Sequence, residues 1–567
     1  MSAVVEVLSA IVDIQDPMTS NRQRLANLLQ ERQWREARTA YSDLIEDCMS
    51  IRYLLETVLA DVVPAFQQPL VLEVIRTELE HLDTVGSEMQ LAGILFDNAI
   101  VLPPKKPFIN NLPGELLARI LQEVVVWEFR SFFIMWHEDG DLLNTIKLPQ
   151  YPLNLSKVCV YWHHTVNSTP AMWSYIQVVV SGACSNRFYG FASTCLRLAS
   201  NAPISIRIHQ PTDMGRHIVR RLTRWLAPII ARVYSLDITG GYPACGLVQS
   251  VLRAWLEYGT PGTLGELNIR YPEVNRERFI EPPPSSKPQH WRINASPSQM
   301  EAFFSSISVL KLNGLFARWN NQTYRGVTYL ELRTGSVRES QLLEVLSNLP
   351  KLVHFSFGLR IKHKKPRGTS LQPAHLQNLQ TLNLLAMKAS STWSILRLLA
   401  PGPIKLTLAL EASDFRRCAR VTETSEAQEF FSRSNVIGCY IRGQYELKEE
   451  WFPSALSYLP NLHSLCLSNF SFLGLYMISG LDICSQLRDL CLICCRLDLM
   501  ELQKLLGSHT VEILRLRNCQ IFSLGNKIEM TAEELMEQLS LFVKDVKCYK
   551  GGSPRDGYLN RWSRIAY

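Results

Sequence analysis

The chain has 567 residues, 47% apolar and 20% charged, the balance of folded rather than disordered protein. Its net charge of +7 is too dilute over that length to argue for nucleic acid without a concentrated basic face. The apolar runs Val124–Trp127 and Phe132–Trp136 are broken by Glu128 and Arg130, far short of the roughly 18 residues a membrane span needs.

Met1–Asp16 carries Glu6, Asp13 and Asp16 but no Lys or Arg, unlike the basic start of a signal peptide. Fourteen cysteines are scattered without a framework of spacings and read as reduced, mostly buried thiols, so a cytoplasmic or nuclear protein is expected. The segment 20–100 predicts helix. Tyr41, Leu44, Ile45, Cys48, Ile51, Leu55 and Val58 share one face, then Leu72, Ile75, Leu79, Leu82, Met89 and Phe96 share another, with Pro64 and Pro69 at the turn between them. An antiparallel hairpin is the simplest arrangement. A short coiled coil is the alternative, but the stripe lasts few heptads.

Three prolines in Val101–Pro107 mark a domain boundary. Pro113 then opens a helix at its first turn, Glu115 favours the positive helix end, and Leu116, Leu117, Ile120, Leu121 and Val124 form one broad apolar stripe. That stripe exceeds what one neighbouring helix needs to cover. The span 127–150, with acidic Glu138, Asp139 and Asp141 and then Pro149, reads as an insertion. Leu155, Val158, Cys159 and Trp162 return to helical spacing, and Pro170 ends that pattern before Met172, Trp173 and Ile176.

Beyond about Ile176 the rhythm becomes L-x-x-L-x-L. The clearest copies are Leu462, Leu465, Leu467; Leu487, Leu490, Leu492; and Val511, Leu514, Leu516, which start 25 and 24 residues apart. Those steps lie within the leucine-rich-repeat range of about 20 to 29 residues. Continuing the frame reaches Phe470, Cys495 and Cys519, where such repeats often place Asn or Cys. Earlier copies start at Leu379, Leu352, Val327 and Ile307, and weaker ones at Leu264 and Val233, while Ile404–Leu410 is strand-like but irregular. Each repeat leaves an apolar edge that only the next copy covers, so a curved sheet with an extended concave surface is expected over 179–548, followed by a tail at 549–567.

Three ordered blocks, Leu112-Pro113-x-Glu115-Leu116-Leu117-x-x-Ile120-Leu121, Leu155-Ser156-x-Val158-Cys159-x-x-Trp162 and Pro170-x-Met172-Trp173-x-x-Ile176, resemble an F-box spanning 108–178. The order of the whole chain resembles fungal F-box proteins with leucine-rich-repeat-like C-terminal regions. The fold class expected is α/β overall: an N-terminal helical hairpin, an all-α F-box and an α/β horseshoe solenoid. The resemblance implies the substrate receptor of an SCF-type cullin-RING ubiquitin ligase, with no catalytic residue and no cofactor. Leu112, Pro113, Leu116, Leu117, Ile120, Leu121, Leu155, Val158, Cys159 and Trp162 would meet a small acidic adaptor and through it a cullin, with Trp173 closing the unit. The target protein would lie on the repeats, for which His463, Ser464, Cys466, Arg488, Asp489, Glu512 and Arg515 are candidates. A repeat scaffold acting outside ubiquitin transfer is the alternative.

Enzymatic motifs are missing: there is no phosphate loop, dinucleotide fingerprint, nucleophile elbow or H-E-x-x-H. Cys491, Cys494 and Cys495 contain a C-x-x-C spacing, but a second ligand pair at zinc spacing is missing, and the strand register explains Cys495 better. The densest basic run, Arg360 to Arg367, reads first as a solvated loop.

Overall fold

The computed structural model describes residues 108–131, 151–180, 185–210, 216–240, 245–270, 278–280, 296–319, 321–362, 372–385, 387, 389–413, 424–443, 456–472, 486–508, 511–523, 526–529 and 532–549. The expected hairpin at 20–100, most of the insertion (132–150) and the tail beyond 549 lie outside them. The chain divides into two compact units, one of residues up to Tyr175 with Ser193–Ala202, the other of Ile176–Ala192 and Pro203 onward.

In the first unit, helix α1 (Gly114–Ser131) is followed by α2 (Tyr151–Ser156), α3 (Val160–Asn167) and a 3-10 turn at Pro170–Ser174. Leu117, Leu121 and Val125, at steps of four along α1, are buried, as are Val166, Met172 and Trp173. The Trp173 indole N–H donates to the Val166 carbonyl at 3.1 Å, so the largest side chain of this small core is also polar-satisfied.

The second unit is built on a 14-stranded sheet whose strands follow one another in chain order: β1 (Tyr175–Val179), β2 (Ile204–Gln210), β3 (Val233–Gly240), β4 (Glu266–Arg270), β5 (Val309–Asn313), β6 (Tyr329–Arg338), β7 (His354–Lys362), β8 (Thr381–Asn383), β9 (Leu406–Glu411), β10 (Val436–Arg442), β11 (Ser464–Ser468), β12 (Asp489–Ile493), β13 (Ile513–Arg517) and β14 (Asp545–Tyr549). From β2 to β14 every neighbouring pair is parallel. Return segments carry helices α4 (Ser185–Leu198), α5 (Arg216–Leu226), α6 (Cys245–Tyr258), α7 (Pro297–Ser305) and others. This is an α/β solenoid, as the spacing predicts.

Register follows the leucine frame. Cys439, Leu465, Leu490, Leu514 and Val546 stand side by side, and two residues on so do Ile441, Leu467, Leu492, Leu516 and Cys548. Because side chains alternate across a strand, both rows point to one face, and Leu465, Leu490 and Leu514 are fully buried there. Ile404–Leu410, strand-like but irregular by its spacing, supplies β9, whose register against β10 shifts between Leu406 and Thr407. Strands β1, β2, β10 and β14 fill positions that the leucine frame does not mark, and β1 begins inside the segment 108–178 expected to be all-α.

The residue just past a strand repeatedly adopts the left-handed backbone: Gly314 (φ 75°), Asn469 (φ 61°), Cys494 (φ 52°) and Asn518 (φ 49°). In each case its N–H donates to a carbonyl of the next strand, at 3.0, 2.9, 2.8 and 3.0 Å. Thr334 (φ 56°) takes the same conformation inside β6, where the register against β7 shifts. One step later Cys495 and Cys519 turn their thiols toward the carbonyls of Leu467 and Leu492, at 3.5 and 3.2 Å. Cys495 is therefore a buried ladder residue.

Candidate interaction surfaces

Helix α1 carries two apolar stripes one position apart. Leu117, Leu121 and Val125 face inward, while Leu116 and Ile120 remain 51% and 44% exposed, and Trp127, two turns further on, is 49% exposed. Pro113 is also exposed and Leu112 partly so. A single stripe is all that a helix needs to join a small core.

The start of α3 is held against the start of α1. The Tyr161 hydroxyl donates to the Leu112 carbonyl at 2.8 Å and lies 3.8 Å from where a Cβ on Gly114 would stand. The Trp162 indole donates to the Asn110 side-chain oxygen at 2.8 Å. These contacts bring Val158, 53% exposed, together with the exposed Val160 and Tyr161, beside the Leu112–Leu116 end of α1. A run of apolar side chains from two chain segments thus stays in water, which for a patch, unlike single residues, marks an interaction site.

Of the residues singled out for adaptor docking, Pro113, Leu116, Ile120 and Val158 are exposed, and Leu112, Leu155, Cys159 and Trp162 are half-buried. Leu117, Leu121 and Trp173 turn into the core, because they share the inward face with Val125 and Met172. Tyr161, Val160 and Trp127 join the surface without having been singled out. The signal available for Tyr161 was its place one residue ahead of Trp162, on the adjoining helical face. Within α1, burial pushes the Glu128 carboxyl up to about 7.

On the repeat sheet, the face opposite the leucines is formed by the middle residue of each L-x-L. Its central row begins with Arg207, Asp237, Asn268, Lys311 and Glu331 in direct register. Arg207 pairs with Asp237 at 3.1 Å, and Arg333 with Glu331 at 2.7 Å. The Lys311 ammonium lies 4.7 Å over the Tyr329 ring; burial lowers its pKa, and neighbouring Glu331 works against that shift. Later in the same row come Ala409, Tyr440, Cys466 and Cys491. They join Leu385 in a buried apolar cluster, with Ile493 and Tyr549 packed against it. Burial raises the Cys466 thiol well above its ordinary range.

The target-facing candidates separate by parity. Asp489 and Arg515 lie on this face and pair with each other, Arg515 being only 6% exposed. Ser464 and Cys466 share the face, Cys466 inside the apolar cluster. His463, Arg488 and Glu512 instead sit at strand entry, where the His463 carbonyl accepts from the N–H of Arg488 and of Asp489, both at 3.0 Å, and the Arg488 carbonyl accepts from Glu512 at 2.8 Å. The charged row from Arg207 to Glu331 was not singled out; the x of Leu-Asn-Ile, Leu-Lys-Leu and Leu-Glu-Leu was its signal. Among the described residues, no group of three or more His, Cys, Asp and Glu is placed to hold a metal ion, and no helix is long and apolar enough to cross a membrane.

No family model matches the chain. No curated protein matches it either. Among solved structures, an internalin from Listeria monocytogenes is 12% identical, covering 77% of this chain and 95% of its own, at a TM-score of 0.26. TLR13 in complex with ssRNA13 is 13% identical over 68% of this chain and 56% of its own, with a TM-score of 0.33. The plant peptide hormone receptor RGFR1 in complex with RGF2 is 13% identical over 58% of this chain and 56% of its own, with a TM-score of 0.21. Likenesses of this size carry no argument; the repeat architecture rests on the strand ladder itself.

Proposed function

We propose that this chain is a non-catalytic receptor subunit of a cullin-RING ubiquitin ligase, working in the cytoplasm or nucleus, in which the helical unit docks on a small adaptor and the repeats hold a target protein. The observation that supports it is the second apolar stripe of α1. Leu116 and Ile120 remain exposed beside Val158 and Tyr161 although an apolar core lies one residue away. Covering the exposed halves of six such side chains is worth on the order of 5 kcal/mol, enough to drive a stable contact. The three ordered motif blocks supply the partner class, since the stripe belongs to the block that resembles an F-box.

The repeat ladder suits the other half of the role. A parallel stack presents a long face, and its early part carries the charged row from Arg207 to Glu331 over a leucine frame that holds the strands. That property serves a scaffold acting outside ubiquitin transfer equally well, so the experiment must separate the two. Tagged full-length chain, wild type or Leu116→Asp with Ile120→Asp, is purified under proteasome inhibition and probed for the adaptor and cullin. Loss of both from the variant, with its thermal transition retained, is expected. Unchanged capture would overturn the docking surface, and partners whose half-lives ignore removal of the protein would favour the scaffold.

A further inference from the structure

Helix α5 reads Arg-His-Ile-Val-Arg-Arg-Leu-Thr-Arg-Trp-Leu, four arginines and a histidine in 11 residues with no acid among them. Leu222 and Leu226, one turn apart, are fully buried and fix the helix to the second unit. Arg221 is also anchored, its guanidinium carbon 5.2 Å over the ring of Tyr189, which in turn lies 5.7 Å from Trp225. Arg220 and Arg224 are different: both are exposed, and neither guanidinium has a partner among the described residues.

This arrangement works against the helix. Like charges one turn apart repel, and cations in the first turn oppose the positive helix end. The burial of Leu222 and Leu226 holds the helix together despite that, leaving Arg220 and Arg224 with no counter-charge among the described residues. Arginine, unlike lysine, offers a planar fork that binds carboxylates through two parallel hydrogen bonds.

We propose that Arg220 and Arg224 form a docking site for a carboxylate-rich peptide segment of a partner protein. Their separation along the helix, four residues or about 6 Å, is close to the roughly 6.6 Å between alternate side chains of an extended strand, so acids at alternate positions reach both forks. Two forks are a small footprint beside the roughly 6–10 phosphate contacts of a protein whose nucleic-acid binding depends steeply on salt. The site is independent of the adaptor surface and does not require ubiquitin transfer.

The test uses the purified full-length chain and a fluorescein-labelled alternating Glu-Ala peptide, read by anisotropy at low ionic strength. Arg220→Gln with Arg224→Gln should weaken binding at least ~10-fold, and wild-type binding should fall as salt rises. Arg360→Gln with Lys362→Gln, which removes two exposed cations from β7, should leave it unchanged. Because neither guanidinium has a partner among the described residues, the double variant should keep the wild-type melting transition. Equal loss in both variants would overturn the proposal. So would tighter binding of a single-stranded oligonucleotide or of anionic vesicles than of the peptide.

Discussion

Along the repeat ladder Leu465, Leu490 and Leu514 are completely covered, whereas on α1 the Leu116–Ile120 stripe stays half in water beside a Leu117–Leu121 stripe that is fully covered. The difference follows from how each unit supplies cover. A repeat presents its open edge to the next copy, so every leucine in the frame finds a neighbour. The helical unit has one small core, and once Val166, Met172 and Trp173 have closed it, nothing among the described residues covers a second stripe. Surplus apolar surface is therefore informative in the helical unit and does not arise among the ladder leucines.

That contrast breaks most forcefully at a ladder leucine. Leu490 is registered between Leu465 and Leu514 and has no exposure. Leu490→Ala should cost about 2–5 kcal/mol, through lost transfer energy and the cavity left behind. A fall in the urea midpoint within that range is the expected reading; a change under about 0.5 kcal/mol would mean that the ladder relaxes into the space, contrary to close packing.

Glu128 probes how tightly α1 is held in its own unit. Burial raises its carboxyl from 4.5 to about 7, so the folded state holds its proton more firmly than the unfolded chain. The stability this contributes is full below pH 4.5 and is lost as pH rises through about 7. Thermal unfolding followed from pH 5 to 8 should show the helical unit weakening, and Glu128→Gln should flatten that dependence. A wild-type profile as flat as the variant's would show that water reaches the carboxyl.

The ladder was legible because its code is short. Parity alone puts Leu465 and Leu467 on one face, and a period near 25 residues brings the next pair alongside. Strands β2, β10 and β14 escaped because Ile204-x-Ile206-x-Ile208, Cys439-x-Ile441 and Val546-x-Cys548 use other apolar residues for the same geometry. The opposite face was harder: an acid or base near a strand is assigned only once register is known, which is why His463, Arg488 and Glu512 fall at strand entry. On α1 the broad stripe was evident, but which half is buried depends on Tyr161 and Trp162 bonding to Leu112 and Asn110, about fifty residues earlier. The arginines of α5 lie at helical steps rather than in one unbroken run, so charge density along the chain did not reveal them.

A smaller effect refines the repeat side of the comparison. At the left-handed turns the stack uses Gly, Asn and Cys, yet Thr334 in β6 is β-branched with φ of 56°. L-residues other than Asn and Asp are strained there by roughly 1–2 kcal/mol, and glycine recovers part of this at an entropic cost of about 0.5–1 kcal/mol. Thr334→Gly should stabilise the chain by up to ~1 kcal/mol, read from the urea midpoint. Destabilisation instead would show that the threonine side chain packs in a way that outweighs its backbone.

A change of similar size is the sharpest test of the contrast. Leu116→Ser and Ile120→Ser remove side chains that the fold leaves half in water, so each should cost about 1 kcal/mol, where Leu117→Ser, at full burial, should cost several. Serine has only a modestly lower helix propensity than leucine, which keeps the backbone term within that figure. A loss at Leu116 or Ile120 as large as at Leu117 would mean that the stripe is already covered in solution by another part of the chain or by a second copy. Any partner of the stripe would then have to compete with that cover, and the two cases separate by whether the loss depends on protein concentration.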